Sequence, residues 1–381
     1  MTVRSKLNHY TEHLNQQGML RRRFISQPND STLIPFDSND YLSLLGDRRI
    51  AQAYEAGYKK YESGSGASML LSGYHANHKA LEHAFTQLLD VDDCVLFSSG
   101  YAANLALTSL LGAIKVHCLI DKGIHASMYD GLRLSQAQYT RFLHNDLNSL
   151  TKKLVRGPQD SVVITEGIFS MSGQVAPLSL LRKLTHTYNA SLLVDEAHSF
   201  GVLGEQGKGS VSLHHLSQDD VPLRVITFGK AFAAQGALVA GRQEWVEALL
   251  QAGRSIIYST ALSPALSYGL LKTLDIVVSA DERRDKLTEL ITYFNSKILE
   301  SPLNWRQSNT AIQQVQLGCP HRALYYAKEL REKGFSCSPI RAPTVNLKST
   351  GLRIVLNSRH SPEQINSLFE HLHTIYEHQF N

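Results

Sequence analysis

Cysteine is scarce in this chain of 381 residues: Cys94, Cys118, Cys319 and Cys337 stand far apart, with no C-x-x-C pair. That spacing excludes a zinc ribbon or a disulfide scaffold, and no metal site is expected. Long apolar runs are missing as well. The best candidate, Leu105 to Ile114, carries Thr108 and Ser109 and falls short of the ~18 residues that a membrane helix needs. The first twenty residues mix Arg4, Lys6 and Glu12 with polar amides, so no signal peptide is read and a cytoplasmic location is expected. Neither sign of charge dominates, since 38 Lys and Arg against 34 Asp and Glu give a net +4. That is too weak a bias for a nucleic-acid binder, yet it suits an anionic small molecule. With 43% hydrophobic and 19% charged residues and only 11 prolines, the composition excludes disorder and collagen-like repeats.

What is present is a core-forming pattern. At this length two or three units are expected. Short apolar runs recur, each closing on a polar or glycine-containing segment: 94–97 before Ser98-Ser99-Gly100, 117–120 before Asp121, 162–164 before Thr165-Glu166-Gly167, 192–194 before Asp195-Glu196, and 225–226 before Thr227. Continuous apolar runs fit strands buried on both faces. Helical patterns such as 80–89 and 177–188 lie between them, which predicts right-handed parallel crossovers and an α/β fold. In such sheets ligands sit beyond the carboxyl ends of the strands. Residues 1–45 read as an N-terminal helical segment and 46–280 as the large α/β domain. Residues 281–381 read as a smaller α+β domain that opens with an amphipathic helix at 281–298.

The strongest local feature is Leu192-Leu193-Val194-Asp195-Glu196-Ala197-His198, followed by Thr227-Phe228-Gly229-Lys230. Three apolar residues carry an acid to the end of a buried strand, where an unpartnered carboxylate is costly. A protonated pyridine nitrogen is a fitting partner, because pyridoxal phosphate is an electron sink only while that nitrogen stays positive. The same cofactor takes a lysine, and Lys230 stands in a turn after another buried strand. Its phosphate takes backbone N–H groups at a helix start, which Ser99-Gly100-Tyr101-Ala102 supplies, and its ring takes a stacking partner such as His125. Singly each feature is commonplace: acids at strand ends cap helices, turn lysines face solvent, and buried histidines are often structural. Gly64-Ser65-Gly66-Ala67-Ser68 lacks the third glycine of a dinucleotide fingerprint and follows no strand. Residues Gly204 to Ser210 lack the spacing of a phosphate-binding P-loop and read as a turn-rich surface loop.

The ordered set carries more information than its members. Ser38-Asn39-Asp40-Tyr41-Leu42, Gly64-Ser65-Gly66-Ala67-Ser68, Ser72-Gly73-Tyr74, Phe97-Ser98-Ser99-Gly100-Tyr101-Ala102-Ala103-Asn104, Thr165-Glu166-Gly167-Ile168-Phe169-Ser170-Met171, Asp195-Glu196-Ala197-His198 and Thr227-Phe228-Gly229-Lys230-Ala231-Phe232 resemble, in order, the α-oxoamine synthases. These are fold-type I pyridoxal phosphate enzymes that condense an amino acid with an acyl thioester and release carbon dioxide. The likeness runs from about residue 20 to 375. Leu20-Arg21-Arg22-Arg23, Arg141-Phe142-Leu143-His144-Asn145-Asp146, Ile256-Ile257-Tyr258-Ser259-Thr260 and Ile340-Arg341-Ala342-Pro343-Thr344-Val345 resemble the alanine-using members of biotin biosynthesis more than their glycine-using relatives. Three positions depart from the family pattern. Ser43 and Ala233 stand where glycine is usual, and Phe200 replaces a smaller residue, so bulk near turns or the pocket is expected to alter pocket shape.

The resemblance implies a large domain with a mostly parallel sheet covered by helices, a smaller α+β C-terminal domain and a short N-terminal segment. It implies that Lys230 holds the cofactor and takes the Cα proton, that Asp195 pairs with the pyridine nitrogen, that His125 stacks on the ring and that His198 bonds the phenolic oxygen. Gly100, Tyr101 and Thr227 would bind the phosphate region, with Ser259 and Thr260 reaching the phosphate of the neighbouring subunit in a homodimer. Ser170, Glu166 and Asn39 would line the pocket. Arg353 would clamp the amino-acid carboxylate, a task that suits a bidentate guanidinium. Arg341 would bind substrate, and the basic run Arg21-Arg22-Arg23 is either a solvated charge cluster or turns one arginine, taken as Arg21, toward the free carboxylate or phosphates of the acyl donor. The substrates implied are L-alanine and pimeloyl-CoA or a pimeloyl acyl carrier protein, with no nucleic-acid or membrane partner. A sister synthase joining glycine to acetyl- or succinyl-CoA would share every cofactor residue. An aminotransferase or decarboxylase would need the same lysine and aspartate, and a catalytically dead partner subunit would keep the fold.

Overall fold

Seven strands form the central sheet: β1 (Asp93–Phe97), β2 (Cys118–Asp121), β3 (Tyr139–Phe142), β4 (Val162–Glu166), β5 (Ser191–Asp195), β6 (Leu223–Thr227) and β7 (Ala237–Gly241). The computed structural model describes residues 1–23, 25 and 33–378, so parts of the 1–45 and 281–381 segments lie outside the described residues. The strand order is β1-β7-β6-β5-β4-β2-β3. Strands β2 to β6 pair parallel, and β7 runs antiparallel to β6 and β1. Each apolar run read from the sequence becomes one of these strands. Two were not legible as such. Edge strand β3 is Tyr-Thr-Arg-Phe, half polar, and β7 is Ala-Leu-Val-Ala-Gly, whose small residues carry little strand preference.

The chain divides into two units, one comprising residues 42–170 and 175–284, the other 1–41, 171–174 and 285–381. In the first, the helices Gly100–Ala113, Ala126–Leu134, Leu147–Arg156 and Leu178–Thr187 follow β1, β2, β3 and β4. Leu107, Leu111, Met128, Leu132, Leu150 and Leu181 from these helices pack on the sheet residues Val95, Leu119, Val163 and Leu193. Burying such a side chain contributes about 1.5–3 kcal/mol. Ser99, His125 and Asp146 cap the first three helices just beyond the carboxyl ends of β1, β2 and β3, which gathers their polar side chains along one edge of the sheet.

The second unit holds β8 (Trp305–Arg306), β9 (Ile312–Gln316), β10 (Ser338–Ile340) and β11 (Gly351–Val355), an antiparallel sheet in the order β10-β11-β9-β8. Phe294, Trp305 and Phe369 form an aromatic cluster there, with centroids 4.9–5.5 Å apart. The Val3–Gln16 helix, capped by Thr2, buries none of its residues. Among the described residues no helix is long and apolar enough to cross a membrane.

Two readings are corrected. The Gly204–Ser210 segment is not a surface loop: Gly207, Gly209 and Ser210 are buried. It folds over the buried carboxylate of Glu196, which accepts from the backbone N–H and hydroxyl of Ser210 and from Val211 N, each at 2.8 Å, and from the Ser199 hydroxyl. Phe200, expected near a turn or the pocket, packs inward. It is buried in a cluster with Phe85 (5.8 Å) and Phe232 (6.4 Å), to which Phe228 adds a ring 4.9 Å from Phe232 and 5.5 Å from Phe85. The other two departures have a backbone explanation, since Ser43 and Ala233 both adopt φ = 53°, the left-handed region in which a Cβ is strained. Restoring glycine at either position removes that strain. Ala233→Gly and Ser43→Gly are each expected to raise unfolding stability by about 0.5–1 kcal/mol, read as a shift of the urea midpoint at constant m-value.

Candidate active site

The carboxyl ends of β4, β5 and β6 bring one acid each from β4 and β5 and one lysine together. Asp195 ends β5 and is 4% exposed. Its Oδ2 accepts from Asn104 Nδ2 at 2.9 Å, and its Oδ1 accepts from Ala197 N at 2.9 Å. Asn104 Nδ2 also donates to Ser127 Oγ at 2.9 Å, and Ser127 Oγ lies 2.7 Å from His125 Nδ1. A chain of polar contacts thus runs Asp195–Asn104–Ser127–His125. Ser127 N also donates to His125 Nδ1, at 3.3 Å, so that nitrogen is an acceptor and the ring proton sits on Nε2. Burial lowers the His125 pKa, and the charge of Lys230 lowers it further while Asp195 opposes both. His125 is therefore a neutral ring of fixed orientation at the start of a helix.

Glu166 ends β4 in register with Asp195. It is 3% exposed; its Oε2 accepts from Ser170 N at 3.2 Å, and its Oε1 has no hydrogen-bond partner. Burial, then the negative charge of Asp195, pushes its pKa well above the usual carboxylate range, against the pull of Lys230 and of hydrogen bonds from the Ser170 and His125 backbones. The amide oxygen of Asn104, Oδ1, is also buried without a partner. His198 and Ser170 are buried beside these acids in sequence. Thr227 closes β6, its hydroxyl donating to Ala197 O at 3.3 Å. Gly100 opens the helix after β1 so close to Thr227 that a Cβ would fall 2.3 Å from Thr227 Cγ2, so this helix start requires glycine. Ser99 Oγ accepts from Ala102 N at 3.1 Å. Tyr101 is half exposed and donates its hydroxyl to Asp130 Oδ2 at 2.6 Å.

Ser259 and Thr260 follow the short Arg254–Ile257 helix; the first is half-buried, the second exposed, and Tyr258 before them is exposed. Their segment is held by Ala261 N, which donates to Ala67 O at 3.0 Å.

The four remaining sequence candidates belong to the second unit. Arg353 on β11 is buried and donates from Nη2 to Asn39 Oδ1 at 2.9 Å. Burial raises the neighbouring Tyr41 hydroxyl to about 12, with Arg353 opposing. Arg341 is buried, donating to Leu20 O at 2.8 Å and to Pro339 O at 3.1 Å, while its Nε has no partner. Arg21 donates to Thr344 Oγ1 at 2.9 Å. Burial and the charge of Arg21 both depress the Arg341 pKa. Among the described residues neither Arg21 nor Arg341 pairs with a carboxylate. Arg22 and Arg23 are exposed.

Sequence reasoning quoted Asn104 without giving it a role and missed Ser127 altogether. Asn104 lies 91 residues from the acid it holds, and nothing in the local pattern points across that distance.

Because the Glu166 pKa is raised in the folded chain, folding favours its protonated form. The stability this contributes is fully present below the unfolded carboxyl value of about 4.3 and is lost as pH rises. In cofactor-free protein Glu166→Gln is therefore expected to melt progressively higher than wild type between pH 5 and 8. A difference in melting temperature that stays constant with pH would contradict the assignment.

A family model described as aminotransferase class I and II matches residues 31–372. The 8-amino-7-oxononanoate synthase of Marinomonas sp. (strain MWYL1) is 37% identical over 96% of this chain and 93% of its own length. That of Pseudomonas syringae pv. syringae (strain B728a) is 40% identical over 90% and 87%. Among solved structures, the S. paucimobilis serine palmitoyltransferase with bound PLP and myriocin superposes with a TM-score of 0.90 at 25% identity, covering 98% of each chain. The 8-amino-7-oxononanoate synthase of Francisella tularensis superposes at 0.82 with 31% identity, over 92% of this chain and all of its own. On the match to the family model, the relatives' identity across most of the chain and the shared architecture, the chain belongs to the class I and II aminotransferase family, in its α-oxoamine synthase branch with the 8-amino-7-oxononanoate synthases.

Proposed function

We infer that the chain catalyses the decarboxylative condensation of L-alanine with a pimeloyl thioester to give 8-amino-7-oxononanoate, carbon dioxide and free thiol, in biotin biosynthesis. The observation that carries the reading is the buried Asp195, held by two N–H donors at the end of β5 beside Glu166 and in the field of Lys230.

The residues fit pyridoxal phosphate. Two buried carboxyls lie side by side, and Glu166 Oε1 and Asn104 Oδ1 are buried without partners, so the site has acceptors and negative charge to spare. The helix start at Gly100, packed too closely on Thr227 for a Cβ, offers N–H groups to a phosphate. When bound, the cofactor supplies an aldehyde for the lysine amine and a cationic ring that accepts the electron pair left at the alanine Cα.

The chain's own groups do the rest. Asp195, its two oxygens oriented by Asn104 and Ala197, is a fixed acceptor for a ring N–H. His125, with Nδ1 occupied by Ser127, presents an uncharged face on which a ring stacks. His198 and Ser170 are assigned the cofactor's phenolic oxygen, and Tyr101 and Thr227 its phosphate region. The Lys230 amine removes the Cα proton of alanine. The Cα electron pair then forms the new bond to the thioester carbonyl carbon, the C–S bond breaks, and the thiol departs with the sulfur electron pair. The alanine carboxylate leaves as carbon dioxide and a proton returns to the same carbon. Arg353 is assigned the amino-acid carboxylate, with Asn39 orienting its guanidinium, and Arg21 and Arg341 the anionic groups of the acyl donor, whether pimeloyl-CoA or a pimeloyl acyl carrier protein. Ser259 and Thr260 are assigned to the phosphate of a neighbouring subunit, in a homodimer. A cytoplasmic location completes the proposal.

Thiol release from pimeloyl-CoA is the direct test. With L-alanine it should exceed the rate with glycine at least tenfold and produce one carbon dioxide per thiol, and Lys230→Ala should lose a factor of about 10³ or more. A preference for glycine would overturn the substrate, and keto-acid formation without thiol release would replace condensation by amino transfer. Arg21→Ala should raise the KM for pimeloyl-CoA severalfold and leave that for alanine within a factor of two; equal increases would remove Arg21 from the donor site.

A further inference from the structure

Asp121 closes β2 and is 1% exposed, and among the described residues the basic side chain within 4 Å of it is His144. Its two oxygens collect donors from two separate turns. Oδ1 accepts from Gly123 N at 2.6 Å and from His144 Nδ1 at 2.8 Å, and Oδ2 accepts from Asn145 N at 2.8 Å. The first turn, 122–124, delivers His125 to the start of its helix; the second, 143–146, leaves β3. Gly123 comes so close that a Cβ there would lie 2.7 Å from His144 Nδ1 and 3.1 Å from Asp121 Oδ1. His144 then meets the ring of Phe169 edge-on, centroids 4.3 Å apart at 90°. Phe169 is buried and precedes Ser170, whose N–H holds Glu166. In the same second turn Asn145 adopts φ = 52° and donates from Nδ2 to Val175 O at 3.0 Å. One carboxylate therefore ties the segment bearing His125 to the segment bearing Phe169 and Ser170.

We propose that Asp121 is a positioning residue of the active site, setting His125 through the Gly123 turn and Ser170 through the His144–Phe169 contact. The proposal rests on the site reading given above. A carboxylate can accept from all three donors at once, whereas an asparagine amide nitrogen accepts from none. Asp121→Asn therefore turns a donor toward a donor and moves one turn away from the other. Sites of this kind tolerate displacements of only about 0.5 Å.

The test compares Asp121→Asn, His144→Gln and His144→Phe with wild type, with Asp220→Asn, a carboxylate paired to Arg182 on the helix side of the unit, as control. Amide hydrogen exchange is measured on cofactor-free protein, the affinity for pyridoxal phosphate by titration, and kcat and KM with alanine and pimeloyl-CoA. Asp121→Asn should speed exchange at 123–127 and 143–147 together without changing β1. It should also weaken cofactor binding and lower kcat by about tenfold or more, as loss of a supporting hydrogen bond does at other sites, with KM values within twofold. His144→Gln, whose amide can still donate to Asp121, should retain most of the wild-type values, and His144→Phe should follow Asp121→Asn. A folded Asp121→Asn protein with wild-type cofactor affinity and kcat would overturn the proposal, as would faster exchange at one turn only. Should Asp121→Asn fail to fold, identical behaviour of His144→Gln and His144→Phe would overturn it instead. Wild-type protein that binds no cofactor would sink the proposed function, while the exchange data would still decide whether Asp121 joins the two turns.

Discussion

The constraint on which the site depends is a carboxylate delivered by a hydrophobic strand to a place where water does not reach it. Asp195 arrives there because Leu192, Leu193 and Val194 are buried between β4 and β6 and leave the next residue no other exit. An unheld acid in that position would take up a proton or unfold its surroundings. Asn104 and the Ala197 N–H prevent this, and in doing so they fix the direction in which the acid points. Asn104 is in turn fixed by Ser127, and Ser127 engages the ring of His125. The placement of His125 against Asp195 therefore follows from satisfying one buried charge, and the helix caps at Ser99 and His125 satisfy backbone groups at the same time.

The candidate site residues of the two units differ in sign. The first has carboxyls at its strand ends, with Glu166 and Asp195 adjacent, Glu196 directly after Asp195, and Asp121 buried at the end of β2. The second collects guanidinium groups, Arg21 with Arg341 and Arg353 with Asn39, held by carbonyls, a hydroxyl and an amide.

Much of the large unit was legible in the sequence because its strands are buried on both faces and read as unbroken apolar runs. Edge strand β3 and small-residue β7 escaped for the opposite reason, since neither needs a strongly apolar sequence where it lies. Asp195, Lys230 and the Gly100 helix start were readable because each stands at the end of such a run. Their supports were not. Asn104, Ser127 and the Asp121–His144 pair act across tens of residues, and a hydrogen bond between distant turns leaves no periodicity behind. The glycine departures were visible as Ser43 and Ala233, but their meaning is a backbone angle that only the fold assigns. The packing of Phe200 was not legible because a bulky residue after an active-site run can point inward, and here it joins an aromatic core.

That core determines how Lys230 can move. Phe228 and Phe232, two residues before and after it, are fully buried, pack against each other and both stack on Phe85, so the lysine's backbone is bolted down on both sides. Whatever travel catalysis demands is left to the four-carbon stem, which swings from a fixed pivot like the arm of a compass. The amine then sweeps a short arc at constant radius. In the reaction proposed above, proton removal and proton return at one carbon would both be made from that one pivot.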